Sequence, residues 1–485
     1  MSAEPVHRDH PRLPASARVA DAAAIAIGLL AIWISATGGS RYLVGDTVVS
    51  LRSPMLALYA AISIVIVRHL RWPRPTLLDR LRGMRAAVRA RPDVDTALRA
   101  FVVTRPAVLV IGFLAVVTFG VTASGFVLSR DPLVNLPARF DAGWYGGIAI
   151  DGYEWDRTFQ RQQNIAFFPA LPILMRVVGT PAGVGSRTLP EDRRMVRALW
   201  AGVIVSLAAF FWALVYMSRL GRELVGDQAA AAATLLMAAY PFAVFFSAAY
   251  SESLFLLSAL GAFYHYRRQE WVAAALWGLI LGLTRPNGCF ASIPLAVIGL
   301  EQVLRGATGF RGVLEKANAK ALAVRLAVAA MPGIGMLLFT LYLHSLTGVW
   351  FAWARSHEAW GRSFHGFAPF VTAYGWLTHN SLIEVVASVP FNSLNTAAVL
   401  FALALVVPVF RRLGLAWGLF VLINLVPPLF AGGVLSMGRL TSTLFPLFLA
   451  LGTLVPPRSV ASWCVTFGLG QGLAAALFFT WRQLF

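Results

Sequence analysis

The chain has 485 residues, 58% of them hydrophobic and 13% charged, with 41 Lys+Arg against 22 Asp+Glu and a formal net charge of +19. Such a composition excludes an ordinary soluble enzyme, and apolar runs that recur from end to end make the chain a polytopic membrane protein rather than a soluble domain on an anchor. The excess basic residues sit in loops between those runs, where membrane orientation alone asks for them, so nucleic acid is excluded as their partner.

The polar stretch MSAEPVHRDHPRLP leads into an apolar run, Ala22 to Ala36, that continues into further runs, so no cleavable signal is expected. Candidate spans follow at 22–38, 51–67, 101–128, 199–219, 229–247, 251–266, 271–284, 288–301, 325–347, 395–410, 413–430, 438–456 and 460–480, about thirteen in all. The fold class is therefore all-α and polytopic. Residues 1–100 are expected to form an N-terminal extension with two spans and an Arg-rich cytoplasmic linker, and residues 101–485 the main transmembrane domain.

Assigning the basic connections Arg68 to Arg99 and Arg305 to Arg325 and the pairs Arg267–Arg268 and Arg411–Arg412 to the cytoplasm gives a consistent alternation of spans with the N-terminus inside. Within the first of these, LLDRLRGMRAAVRA spaces apolar residues among arginines. It reads either as an amphipathic helix drawn to anionic membrane lipids or as a basic linker that fixes orientation.

Five places carry polar residues that membrane spans do not explain, all on the side assigned as extracytoplasmic. The first is RFDAGWYGGIAIDGYEWDR, where the spacing predicts a short interfacial helix after Asp141. Asp141 could cap that helix or could act as a general base in a partly dry cleft. Glu154 and Asp156 fit the wetter continuation. In the second, QQNIAFFPALPILMRVV, Pro169 and Pro172 predict an irregular or interfacial piece, with Gln163 and Asn164 able to bond a polar substrate.

The third, YPFAVFFSAAYSESLFLL, places Tyr250, Ser251 and Glu252 at a turn between spans. There Glu252 either favours a helix N-terminus or serves a cavity. In the fourth, GLILGLTRPNGCFASIPL, two runs too short to cross comfortably meet at Arg285 and Asn287, as a hairpin ending in the membrane or as one broken span. An arginine there needs an anion, and its fork of donors suits phosphate. The fifth is the C-terminal half, with His357, Trp360, Arg362 and His365 in WARSHEAWGRSFHG and Arg439 in GGVLSMGRLTSTLFP. No His/Asp/Cys set predicts a metal, and Cys289 and Cys464 form no CxxC.

A carboxylate and several arginines about one cavity suit transfer of a group carried on a lipid phosphate, because the acceptor loses a proton while charge grows on the departing oxygen. Neither a nucleotide-cradling loop nor a cytoplasmic acidic pair is evident, which favours a membrane-borne donor. A transporter or lipid flippase is the alternative for a chain of many spans with buried charge.

The run of Arg139, Asp141, Ala142, IA at 148–149, GY at 152–153 and NIAFFPALP at 164–172 resembles the signature of the PIG-V family of mannosyltransferases and their bacterial relatives. AAYSESLF at 248–255 and TRPNG at 284–288 resemble two further family blocks in the same order. The resemblance implies the GT-C architecture of integral-membrane glycosyltransferases, located in the bacterial inner (plasma) membrane. It also implies an inverting transfer of mannose from a polyprenyl-phosphate donor to a lipid-linked or glycan acceptor on the extracytoplasmic side, with no other cofactor.

By the same resemblance Asp141 is the catalytic base and Arg285 and Arg439 meet the donor phosphate. Arg139, Asn164, Tyr250, Glu252, Asn287, His357 and Arg362 are the expected substrate-binding residues. Phe140 stands where the family usually has tryptophan.

Overall fold

The computed structural model describes residues 13–37, 40–44, 47–51, 53–122, 126–306 and 316–484. Residues 1–12 of the polar N-terminal stretch and 307–315 of the basic Arg305 to Arg325 connection lie outside the described residues. The chain divides into two compact units, Met1–Asp95 and Thr96–Phe485.

In the first unit, helices Ala15–Thr37 and Pro54–Arg71 are joined through an antiparallel pair of strands, Ser40–Val44 and Thr47–Leu51. This hairpin corrects the all-α expectation locally. Its β-branched and aromatic residues, SRYLV and TVVSL, favour extended backbone over helix. The arginine-rich segment is helical over Leu77–Arg89 and starts in a capping box between Thr76 and Asp79. Asp21, buried on the first helix, pairs with Arg68 at 2.7 Å and also with Arg80 of that segment. One carboxylate thus ties three helices together, and it offsets the cost of burying Arg68.

The second unit is helical throughout its described regular structure. Its long apolar helices include Glu191–Val225, Pro390–Leu413, Leu415–Gly432 and Val460–Phe479, and most of Pro92–Phe119 belongs to it. Among the described residues of the whole chain, eight helices are long and apolar enough to cross a membrane, or up to ten if each bent pair counts as one span. The protein is therefore a multi-pass membrane protein, with fewer uninterrupted spans than the thirteen expected.

The difference lies in breaks that apolar composition conceals. The run 229–247 divides into Asp227–Ala239 and Pro241–Ser247, bent by 76°, because Pro241 has no backbone donor with which to continue the helix. The run 438–456 divides into Met437–Ser442 and Phe445–Leu454, and Trp271–Thr284 is only 14 residues long. Helix Glu252–Arg267 has 16 residues.

A break in a membrane helix leaves carbonyls without donors, and these must be satisfied by other protein groups. Arg105, fully buried on Pro92–Phe119, does this at the first break. It donates to the carbonyls of Ala238 at 2.7 Å and Ala243 at 2.6 Å, to Ser247 Oγ and to Gln471 Oε1, while its guanidinium lies 4.8 Å from the Phe210 ring centroid. Arg105→Met should lower stability by about 2–4 kcal/mol, since several buried acceptors lose their donor together. A thermal unfolding midpoint in detergent equal to that of wild type would refute this role.

Around the break the core is aromatic. Phe210 stacks on Phe246 at 4.4 Å, and Phe245, Phe255, Phe263 and Phe420 are fully buried. The short elements Met437–Ser442 and Pro286–Ala291 bring Arg439 and Asn287 to one place.

Candidate active site

Asp141 stands at the end of a loop whose preceding residue, Phe140, has φ 43°, in the left-handed region that side chains adopt at a cost. Packing holds Phe140 there: its ring centroid lies 4.5 Å from that of Trp481 and 5.7 Å from that of Phe478. Arg139, also buried, donates to the carbonyls of Phe479, Asn135 and Ala138 at 2.6–2.7 Å and so ties the loop to the C-terminal helix.

The next residues form helix Ala142–Asp151 as expected, but the Asp141 side chain makes no capping hydrogen bond to it. Of the two roles open in the sequence, the capping one is not taken. The carboxylate instead accepts from Arg439 Nη1 at 2.5 Å, and the Asp141 backbone N–H donates to the Tyr250 hydroxyl at 3.0 Å.

Arg439 comes from the short helix Met437–Ser442, which begins after Ser436 at φ 61°. Its guanidinium joins both carboxylates of the site. Nη1 meets Asp141, Nε meets Glu252 Oε1, and Cζ lies 4.5 Å from the Tyr250 ring centroid. Glu252, completely buried at the start of its helix, also accepts from Arg285 Nη1 at 2.6 Å. Arg285 is placed by the TRPNG turn, where the Trp271–Thr284 helix gives way to the tight turns of Pro286–Ala291. At Gly288 any side chain would run into the Leu281 carbonyl, so glycine lets the turn fold back onto the preceding helix. Asn287 fixes the turn to Leu415–Gly432 through a 2.8 Å hydrogen bond to Asn424.

These groups border a cavity of about 730 Å³. Asp141, Arg285, Asn287, His357, Arg362 and Arg439 line it. One wall is aromatic, with Tyr145, Phe167, Trp353 and Trp360, and another is apolar, with Pro427, Pro428, Leu435 and Leu440. Arg362 makes no side-chain hydrogen bond or ion pair among the described residues. Burial, then repulsion from Arg439 and Arg285, pushes its guanidinium down to about 10, so it stays charged at neutral pH. Three guanidinium groups thus face two carboxylates, Asp141 and Glu252, which leaves an excess of one positive charge suited to an anion.

Four residues expected to touch substrate stand elsewhere. Arg139 and Tyr250 lie behind Asp141, and Glu252 lies beneath the two arginines. Asn164 joins Gly152 O to the Glu154 backbone N–H, and with Gln163, which accepts from Asp156 N, it clamps the loop. Glu154 and Asp156 are exposed, so neither supplies a carboxylate to the cavity. The stretch Gln162 to Val178 is irregular up to Pro169, with one tight turn at Asn164–Ala166, and then forms a regular helix, Ala170–Gly179, whose prolines stand at its cap and in its first turn, where no backbone donor is needed.

Tyr145, Gln162, Phe167, Trp353 and Ser436 line the cavity without having been singled out as site residues in the sequence. Tyr145 and Phe167 lay within motifs already quoted, but aromatic residues near a membrane signal an interfacial belt just as strongly. His365 does not line the cavity; it bonds Ser363 at 3.0 Å. Among the described residues no group of three His, Cys, Asp or Glu side chains could hold a metal ion.

His357 accepts no charge at neutral pH. Its burial in the cavity wall pushes the imidazole down to about 4, below the usual value near 6.5. Protons then bind the unfolded chain first, so His357 contributes stability that is fully present above about pH 6.5 and is lost as pH falls toward 4. Thermal midpoints should drop over that interval, and His357→Asn should flatten the drop. A wild-type slope in the variant would contradict the assignment.

A family model described as mannosyltransferase (PIG-V) matches residues 124–401, more than half of the chain. The chain belongs to the PIG-V mannosyltransferase family. The family is described as one of mannosyltransferases, a glycosyltransferase description rather than one of transporters or flippases. The matched region contains Asp141, Glu252, Arg285, His357 and Arg362, whereas Arg439 lies beyond it.

No curated protein matches the chain in sequence. Among solved structures it is similar to an oligosaccharyltransferase of Archaeoglobus fulgidus in complex with Zn and sulfate, at 14% identity over 77% of this chain and 53% of that one, with a TM-score of 0.36. It is also similar to the oligosaccharyltransferase AglB of Archaeoglobus fulgidus in complex with an inhibitory peptide and a dolichol-phosphate. There the identity is 13% over 78% of this chain and 55% of that one, with a TM-score of 0.37. The PIG-V-family chain spans about half the length of these solved structures.

Proposed function

We propose that the protein moves mannose from a polyprenyl-phosphate donor to a hydroxyl of a lipid-linked or glycan acceptor, with inversion, on the extracytoplasmic side of a bacterial inner membrane. The observation that carries this reading is the meeting of Asp141 with Arg285, Arg362 and Arg439 on one cavity that also has an apolar wall. A cavity with an apolar wall beside three arginines suits a donor that carries a phosphate on a lipid chain, as the GT-C reading of the family requires. Residues 1–100 extend this catalytic domain at its N-terminal side.

The charge balance fits the donor. A polyprenyl-phosphate sugar is a phosphodiester with one negative charge, which the excess positive charge of the site offsets. The acceptor oxygen attacks C1 of the sugar as the bond from C1 to the phosphate oxygen breaks. The bond's electron pair leaves with the phosphate, and the acceptor proton passes to Asp141. The departing phosphate then carries a second negative charge, which Arg285 and Arg439 stabilise more strongly than the ground state. In the structure Arg439 is also the partner of Asp141. Phosphate binding competes for that guanidinium and leaves the carboxylate better able to accept a proton.

The donor is tested by offering purified protein either synthetic polyprenyl-phosphate mannose or a nucleotide-linked mannose, each with a panel of lipid and glycan acceptors. Product is expected from the lipid donor alone, and turnover with the nucleotide sugar alone would overturn the proposal. For orientation, a cysteine replacing exposed Glu154 should react with an impermeant thiol reagent in intact cells. Lack of reaction in a well-expressed variant would overturn the extracytoplasmic placement.

A further inference from the structure

Tyr250, Ser251 and Glu252 are consecutive and fully buried, and none of them lines the cavity. Each nevertheless holds a different part of its wall. The Tyr250 hydroxyl accepts from the Asp141 backbone N–H at 3.0 Å and donates to the Arg139 carbonyl at 3.4 Å. The Ser251 hydroxyl shares a 2.9 Å hydrogen bond with the hydroxyl of Tyr145. Glu252 accepts from Arg285 and Arg439, both on Oε1. Its other oxygen, Oε2, is buried and has no hydrogen-bond partner among the described residues.

Burying a carboxylate with one oxygen unsatisfied is expensive, and a buried ion pair seldom adds stability over a well-packed apolar alternative. What the arrangement achieves is geometric. Two guanidinium groups repel each other, yet both must reach a single phosphate. One oxygen shared between them fixes their separation, and because Glu252 sits behind the wall it does so without occupying the cavity.

We propose that Glu252 is a positioning residue, which holds Arg285 and Arg439 at the spacing that grips one phosphate group of the lipid donor. This rests on the transferase reading above. Glu252 itself makes no contact with substrate and acts through the two arginines.

The test uses the full-length purified protein and a short-chain polyprenyl phosphate as binding probe. Glu252→Gln keeps the shape but removes the charge, and it should weaken probe binding by about 10-fold or more. The KM for polyprenyl-phosphate mannose should rise by a similar factor while the acceptor KM stays within about twofold. Glu252→Asp, which keeps the charge on a shorter stem, should recover part of the affinity. Because Glu252 acts through Arg285, the E252Q/R285Q double variant should lose no more than about threefold beyond the weaker single variant.

A partly unfolded preparation would lower turnover per mole of protein and leave KM unchanged, so the KM separates positioning from folding. Probe affinity in E252Q within about twofold of wild type, or losses that multiply fully in the double variant, would overturn the proposal. If E252Q fails to fold, E252D decides: lower probe affinity at an unchanged thermal midpoint supports positioning, and unchanged affinity overturns it. Probe binding involves neither sugar nor turnover. Failure of mannose transfer would therefore leave the binding result standing, and failure of the positioning role would leave mannose transfer intact.

Discussion

Arg439→Met should cost the protein about 3–5 kcal/mol of stability and lower turnover by about 100-fold or more. Arg439 is almost completely buried and joins the carboxylates of Asp141 and Glu252 in one fork. Its removal leaves Glu252, which has no exposure to solvent, with Arg285 as its remaining ionic partner. Methionine would pack comfortably against Phe245 and Tyr250, which now lie beside the guanidinium. The cost therefore reports lost charge pairing rather than a cavity. Arg439→Lys keeps one positive charge but cannot present two donors in the same plane, so it should fall between wild type and methionine. Thermal unfolding and turnover on the same preparations measure both effects. A methionine variant with a wild-type midpoint and activity within about tenfold of wild type would contradict the role.

The second large effect belongs to Asp141. Asp141→Asn should retain the fold, because Asp141 is held by its backbone N–H to Tyr250 and by the flanking packing of Phe140, neither of which involves the carboxylate. Turnover should fall by about 100- to 10,000-fold, the range for loss of a general base. The side chain is 20% exposed, on the cavity wall, so the loss of its charge costs little in stability compared with Arg439. Donor binding should survive, since Arg285, Arg362 and Arg439 all remain. A folded Asp141→Asn enzyme with turnover within about tenfold of wild type would remove Asp141 from the mechanism.

Much of this site can be read in the sequence, because charged residues near hydrocarbon are rare and each one demands a partner. Asp141, Arg285 and Arg439 stand out for that reason, and the cavity brings all three together from distant parts of the chain. What the sequence does not disclose is depth. Tyr250 and Glu252 carry the same chemical groups as substrate-binding residues, and only their complete burial shows that they support the wall. Asn164 likewise spends both ends of its amide on the loop backbone.

The helix count was hidden for a related reason. Mean apolar composition stays high through 229–247 and 438–456, while the helix breaks at Pro241 and between Ser442 and Phe445. These bends deliver polar residues to the site, and the cost of each break is met by groups such as Arg105 that lie far away in sequence. The pairing of Asp21 with Arg68 and Arg80 was hidden in the same way, since a lone aspartate near a basic segment gives no sign of which arginine it will meet.

The most direct test of the central claim is the anomeric outcome of one turnover. Purified protein is given β-linked polyprenyl-phosphate mannose and an accepting glycan, and the product is read by NMR together with the polyprenyl phosphate released. Attack by a hydroxyl activated at Asp141 predicts an α-mannoside, with one polyprenyl phosphate released for each mannose transferred and no release without acceptor. A β-mannoside, or release that proceeds equally well without acceptor, would contradict a single displacement at this cavity.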